Sequence, residues 1–469
     1  MSDTAERMSR VDNAWLRMDN EVNLMMIVGV WLLQPALGYE ALCRRIEQRL
    51  LKYPRFRQKV EEDALGARWV EDRAFDIGNH VVRERLARKP GQSERAALQA
   101  RCGELAMTRL DPAHPLWQFH LVEHYQGGSA IMVRIHHCIG DGIALTSVVM
   151  SITDGGEEPP APRTGDAPEH EDWLSGVIVR PLTELAVKAI DLSGEGLVRS
   201  VGLLAHPRSS ARELARIGVR AAADMAALAL MEDDSPTRLK GKPVGRKLVA
   251  WGEPIALDVV KSVGKALGAS VNDVLLACVA GAIGDYLREI GDDPAGKKIR
   301  AMVPVNLRAL DEAYKLGNRF GLAPLLLPIG IANPVQRVYA VRERMGQIKG
   351  SYQPVLTFGV LAVAGLLNKG GQDALLDLFA KKATAVMTNV PGPAQRLGLC
   401  GSTLLQSIFW VPQTGDVAVG VSIFSYGGGV QFALITDAEL CPEPQQVIDR
   451  FAPELDKLLW LTLMLPWAA

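Results

Sequence analysis

Between residues 154 and 168 the chain drops its apolar pattern and becomes rich in Gly, Pro, Asp and Glu, a composition that favours exposed chain over packed structure. This break constrains the fold more than any other feature. A chain of 469 residues is too long for one ordinary core and should hold two or three packed units; the break marks where the first one ends. After it, residues 173–231 are rich in Ala and Leu with interruptions near Gly194 and Pro207, which predicts a helical bridge. Strand and helix patterns resume near Lys247. The expected organisation is therefore an N-terminal αβ lobe over residues 1–154, a linker and helical bridge over 155–246, and a C-terminal αβ lobe over 247–469.

Within the first lobe, residues 23–34 are apolar with β-branched and aromatic members, and residues 39–53 carry apolar positions at helical spacing among charges, so a strand followed by an amphipathic helix is expected. Residues 117–123 alternate, and the apolar run 130–135 follows Gly127 and Gly128, as in a hairpin. In the second lobe a strand should run from Lys247 to Ile255, followed by a helix to about Leu267 and a longer one opened by Ser270-Val271-Asn272-Asp273. Residues 299–305 and 418–435 carry strand signals, the latter bent at Gly427-Gly428-Gly429.

Composition narrows the function classes. Lys plus Arg (52) nearly cancels Asp plus Glu (53), so no overall field draws the chain to nucleic acid. The six cysteines form no CxxC pair and no His/Cys spacing suited to zinc, so they read as reduced and mostly buried and no metal is expected. No P-loop or dinucleotide fingerprint occurs. The first ten residues mix acidic and basic side chains without a secretory plan, which makes the cytoplasm the expected compartment. The most apolar stretch, residues 354–367, stops at Asn368 and Lys369, short of the roughly 20 residues that cross a bilayer; it reads as a buried helix.

The sharpest chemical feature is His136-His137-Cys138-Ile139-Gly140-Asp141-Gly142, between an apolar strand and an apolar helical run. A strand-to-helix corner holds an imidazole rigidly, and Gly140 and Gly142 permit backbone turns and close approaches. Neutral histidine, with an ordinary pKa of about 6.5, can take the proton from an alcohol as it attacks a thioester. Adjacent residues on a strand point to opposite faces, so one histidine faces any given cavity and the other is structural. Alternation does not say which.

This segment resembles the HHxxxDG motif of acyltransferases related to chloramphenicol acetyltransferase and to peptide-synthetase condensation domains. Pro115-Leu116-Trp117, Ser270-Val271-Asn272-Asp273, the opening from Met8 to Met26, Val303-Pro304-Val305-Asn306-Leu307-Arg308, Thr388-Asn389-Val390-Pro391-Gly392-Pro393 and Val421-Ser422-Ile423-Phe424-Ser425-Tyr426 are similar to blocks of the bacterial wax ester synthase/diacylglycerol acyltransferases. They fall in that family's order across nearly the whole chain. The resemblance implies two chloramphenicol-acetyltransferase-like lobes of α/β type joined by the linker, with a tunnel between them. It assigns catalysis to His137, with His136 and Asp141 in support and Gly142 completing the motif, and an ion pair from Asp141 to Arg308 joining the lobes. It implies that coenzyme A enters from one side and the acceptor from the other. Leu24 to Val30 and Val355 to Leu367 are candidate tunnel lining. Asn272 and Asp273 belong to a motif that also reads as a plain helix cap. Pro115, Leu116, Trp117, Asn389, Pro391 and Gly392 are candidate substrate contacts, although Trp117 reads equally as core and Pro391-Gly392-Pro393 as a turn.

The implied reaction is transfer of a fatty acyl group from acyl-CoA, a co-substrate rather than a bound cofactor, to a long-chain alcohol or diacylglycerol. Two alternatives are a condensation-type N-acyltransferase using a carrier-protein thioester, and a catalytically idle lipid-binding module on the same fold. Arg208, Arg212, Arg216 and Arg220 recur every four residues, and the tail from Leu458 to Trp467 is apolar with little charge. Both features point to peripheral contact with a membrane or lipid inclusion.

Overall fold

The first long strand forms as Met26–Gln34 and is paired on both edges, antiparallel to Gly128–His136 on one side and to Ser402–Trp410 on the other. The computed structural model describes residues 5–63, 66–155, 224, 227–228, 230–308, 316–367 and 369–464. Its first large sheet runs Gly398–Leu399, Ser402–Trp410, Met26–Gln34, Gly128–His136, Trp117–Tyr125, Val81–Arg83. The expected hairpin turns at Gln126 and Gly127, both at positive φ, the combination that matches the twist of a two-residue hairpin loop. Gly128 is required for a different reason: a Cβ there would sit 2.0 Å from the Leu33 carbonyl oxygen.

The second large sheet runs Phe320–Leu327, Ile299–Asn306, Ala385–Pro391, Val419–Tyr426, Gly429–Asp437, Lys247–Trp251. Ala385–Pro391 lies at its centre, parallel to both neighbours. The helix Val271–Glu289 is apolar almost all round and almost wholly buried, as expected of a helix packed between a sheet and other helices. Pro334–Lys349, Leu257–Leu267 and Phe451–Leu463 pack on it. One large core holds the first sheet and reaches residues of the second, among them Trp251, Val390 and Ile435, and another packs the helices against the second sheet.

Sheet membership departs from chain order at one place. Residues 398–410 lie in the C-terminal half, yet they extend the first sheet. Ser402–Trp410 buries Leu404, Ile408 and Trp410 and covers the edge of Met26–Gln34 that would otherwise present unpaired backbone. The boundary expected at Lys247 therefore divides the chain but not the sheets. The four-arginine stripe falls outside the described residues, as does the expected helical bridge except at residues 224, 227–228 and 230–231, of which 224, 227 and 228 are helical; residues 232–246 carry turns and no helix.

Candidate active site

His136 is the last residue of Gly128–His136, and the alternation continues one residue further because the His137 amide donates to the Met25 carbonyl at 2.8 Å. The two rings consequently diverge. His136 is buried, its Nδ1 accepts from the Cys138 amide at 3.2 Å, and its Nε2 lies 3.3 Å from Asp19 Oδ1. His137 faces a cavity between the two sheets. The chain then turns through Ile139 and Gly140, and Gly140 bridges to Gly317 in the other half. Gly317 has φ +106°, a conformation that favours glycine. At Gly142 the space alone would admit a Cβ, whose nearest neighbour is Val390 at 3.7 Å.

The His137 ring stacks on Trp15, with centroids 4.2 Å apart and planes 15° apart, and Phe320 closes a further side at 5.7 Å. Its carbonyl accepts from Asn318 Nδ2 at 2.7 Å, and the same Asn318 is held by Asp12, whose Oδ1 accepts from Asn318 N and Nδ2 at 2.9 and 2.8 Å. Burial among these groups pushes the imidazole down to about 4, against a smaller upward pull from the Asp141 charge; the charged form is the one that low dielectric disfavours. His137 is thus a neutral imidazole at neutral pH. Burial acts oppositely on Asp12 and raises its carboxyl to about 6.

Asp141 does not bond the imidazole. It caps the helix Gly142–Ile152 through Ala144 N at 3.0 Å, and its other oxygen accepts from Arg308 Nη2 at 2.9 Å and Arg319 N at 3.1 Å. Arg308 Nη2 also donates to Gly317 O at 2.7 Å. The ion pair between Asp141 and Arg308 is buried on both sides and joins the two halves of the chain.

The cavity measures about 160 Å³ and is mainly apolar. Met25 and Ile27 line it from the start of the strand Met26–Gln34 and the residue before it, and Thr357, Val360 and Leu361 from the helix Gln353–Ala364, within both segments expected as lining. Met302, Ala383, Val386 and Val417, a small apolar cluster of their own, form another part of the wall. The polar groups on its wall include His137, Asn306, Thr388 and Asn389.

Of the other sequence candidates, Asn389 reaches the cavity and its Nδ2 donates to Asn272 Oδ1 at 3.1 Å. Asp273 does not; it completes a capping box with Ser270. Pro391 and Gly392 lie beyond the cavity wall, and a Cβ on Gly392 would meet the Phe424 ring at 2.5 Å. Pro115, Leu116 and Trp117 are also away from the cavity. Trp117 is a core aromatic, stacked on His80 at 4.3 Å and donating from Nε1 to Phe56 O, while Leu116 O accepts from the His136 amide at 3.0 Å. This block supports the histidine strand from outside. Sequence reasoning gave no role to Trp15, Asp12, Asn318, Asp19 or Phe320. Trp15, Asp12 and Asp19 lie inside the opening block, which was the only signal for them.

Comparison with known proteins follows the same lines. Residues 8–275 match the model of the wax ester synthase/diacylglycerol acyltransferase catalytic domain, and residues 316–459 match that of the WS/DGAT C-terminal domain. A probable diacylglycerol O-acyltransferase of Mycobacterium tuberculosis is 27% identical over 426 residues, covering 88% of this chain and 86% of that protein; a second from the same organism is 26% identical over 461 residues, covering 95% and 97%. Among solved structures, a wax ester synthase/diacylglycerol acyltransferase from Marinobacter aquaeolei VT8 superposes with a TM-score of 0.65 at 20% identity, covering 97% of this chain and 98% of that one. The first condensation domain of the CDA synthetase gives 0.60 at 15% identity, covering 98% and 97%. The last two similarities concern the fold.

Proposed function

The chain belongs to the wax ester synthase/diacylglycerol acyltransferase family and is an acyltransferase, and on that premise we propose that His137 is the general base in the transfer of a fatty acyl group from acyl-CoA to a long-chain alcohol or diacylglycerol. The observation that carries the reading is a neutral, buried imidazole on the wall of an apolar cavity between the two sheets. The acceptor hydroxyl gives its proton to His137 as its oxygen attacks the thioester carbonyl carbon. The tetrahedral intermediate then collapses, the C–S bond breaks, and the proton held by the imidazole passes to the departing thiolate. Asp141, engaged by Arg308 and by backbone amides, positions the loop and takes no proton. The mainly apolar lining of the cavity favours transfer to the acceptor over hydrolysis.

General-base assistance contributes about 10²–10⁴-fold, so folded His137→Ala protein should lose that much turnover. The test incubates purified enzyme with palmitoyl-CoA and a panel of alcohols, diacylglycerol and amines, reading thiol release and product mass. Near-wild-type ester formation by His137→Ala would remove the base, and amide as the main product would move the enzyme to the condensation type. His136→Ala should instead lose stability first, because it empties a buried site and leaves the Asp19 carboxylate with only the Met25 amide and Arg109.

An acceptor that is insoluble in water calls for a lipid surface, and the same reading places the protein in the cytoplasm, peripherally attached to the inner membrane or a lipid inclusion. Its support is the outer side of Phe451–Leu463, where Trp460 is 64% exposed beside the exposed Leu463 and Met464; apolar patches with Trp favour an interface. Co-flotation with anionic vesicles, lost in Trp460→Ser/Leu463→Ser, is the expected result, and unchanged flotation would place the contact elsewhere.

A further inference from the structure

We propose that Trp15 is a positioning residue for the reaction: its indole face, carried by a helix seated on the C-terminal half, fixes the plane of the His137 imidazole and keeps water off it. The inference rests on the reading of His137 as the base. No carboxylate does this work. Asp141 is committed to Arg308 and to the amides of Ala144 and Arg319, and His137 Nδ1 is buried without a hydrogen bond of normal geometry, the polar groups acting on it being its own carbonyl and the Asn318 amide. The parallel stack at 4.2 Å is the closer of the two aromatic contacts that the ring makes, Phe320 standing at 5.7 Å.

The stack is only as rigid as the helix Arg10–Arg17 that carries it, and that helix is anchored by its own residues to the C-terminal half. Asp12 holds Asn318, Asn13 Nδ2 donates to Gly365 O at 2.8 Å, and Gln372 Nε2 donates to Ala14 O at 2.9 Å. Gly365 must lack a side chain for this seating, since a Cβ would lie 1.9 Å from the Arg10 carbonyl oxygen. Trp15 is thus a fixed wall rather than a mobile side chain. Flat stacking leaves the ring edge, where the nitrogens lie, as the part that addresses the acceptor. It also removes water from one whole face, and desolvation is the main cause of the depressed imidazole pKa. The charged and titratable groups around the ring are Asp141 on its own loop, His136 paired with Asp19, and Asp12 acting through Asn318; none of these is altered by a change at Trp15.

The test compares Trp15→Leu and Trp15→Phe with the wild type by kcat, KM and the pH dependence of kcat/KM. Misplacement of a reacting group on this scale costs about 10–100-fold. Trp15→Leu should lose that much in kcat with KM changed by less than about threefold, and the acid limb should move upward from about 4 toward the ordinary histidine value. Trp15→Phe, which still stacks, should recover most of the kcat. A folded Trp15→Leu enzyme with unchanged kcat and an unmoved limb overturns the proposal, as does a loss confined to KM. If Trp15→Leu does not fold, Trp15→Phe and Trp15→Tyr decide, because smaller rings must shift the limb part way and no shift overturns it. Failure of the base assignment is distinguishable: it would appear as activity in His137→Ala, whatever Trp15 does.

Discussion

Two adjacent histidines in one motif have opposite fates because of a single further step of strand alternation. His136 turns to Asp19 and His137 to the cavity. Alternation in the sequence predicted that the rings diverge, whereas the choice of His137 came from the resemblance; the reason for it, Trp15 and Asn318 brought from distant positions, is not written near the motif. The low imidazole pKa leads to a prediction with a definite sign. Between the ordinary 6.5 and about 4, the unfolded chain binds a proton at His137 that the folded chain refuses, so this contribution to stability is fully present above 6.5 and is lost as pH falls through that window. Asp12 acts in the opposite sense: its carboxyl is raised to about 6, so its contribution is full below 3.8 and lost as pH rises through about 6. By linkage the His137 effect is about 3 kcal/mol. His137→Gln should therefore be less acid-sensitive than the wild type between pH 6.5 and 4 in urea titrations. Equal slopes for the two proteins would mean that the imidazole is not desolvated.

Helix and strand signals exposed most of the elements that position the site. The hairpin leading to His136, the helix Val271–Glu289 and the hairpin at Gly427-Gly428-Gly429 all stand where periodicity and turn residues put them. What periodicity cannot state is which sheet a strand joins, because pairing is non-local; Ser402–Trp410 has an ordinary strand pattern and sits in the first sheet. The Asn272-Asp273 pair shows the same division within one turn of helix. Its cap was legible, with Ser270 and Asp273 bonding each other's backbone amides, while the reach of Asn272 to Asn389 across 117 positions was not. Asp273→Ala, which removes the N3 half of the capping box, should accordingly cost about 0.3–1.5 kcal/mol of stability and leave KM for acyl-CoA and acceptor within about twofold. Asn272→Ala should do the reverse, since it frees the Asn389 amide on the cavity wall. Steady-state kinetics beside thermal unfolding separates them, and a shared phenotype would show that the pair acts only as a cap.

At the scale of the whole molecule the two halves are stitched rather than merely apposed. The helix Arg10–Arg17 seats on Gln353–Ala364, Ser402–Trp410 crosses into the first sheet, Asp154 accepts from the amides of Cys400 and Gly401, and buried Lys247 donates to Asn23 at 2.7 Å. The expected division at Lys247 therefore describes the order of the chain better than its mechanics. Asp141 and Arg308 are a buried charged stitch on the loop that follows His137. A buried pair contributes little net stability relative to apolar replacements, yet removing one partner strands the other charge and costs about 3–5 kcal/mol. Asp141→Asn keeps the helix cap, because Asn also caps well, and so isolates the lost charge; Arg308→Met does the same from the other half. Each should destabilise by that amount, and the double variant should fall short of the sum by about 0.5–3 kcal/mol, the coupling expected of directly bonded residues. Urea unfolding of the four proteins at pH 7 measures it. Additive losses would mean that the two side chains act separately, and that the lobes are aligned by the helix seat and the crossing strand alone.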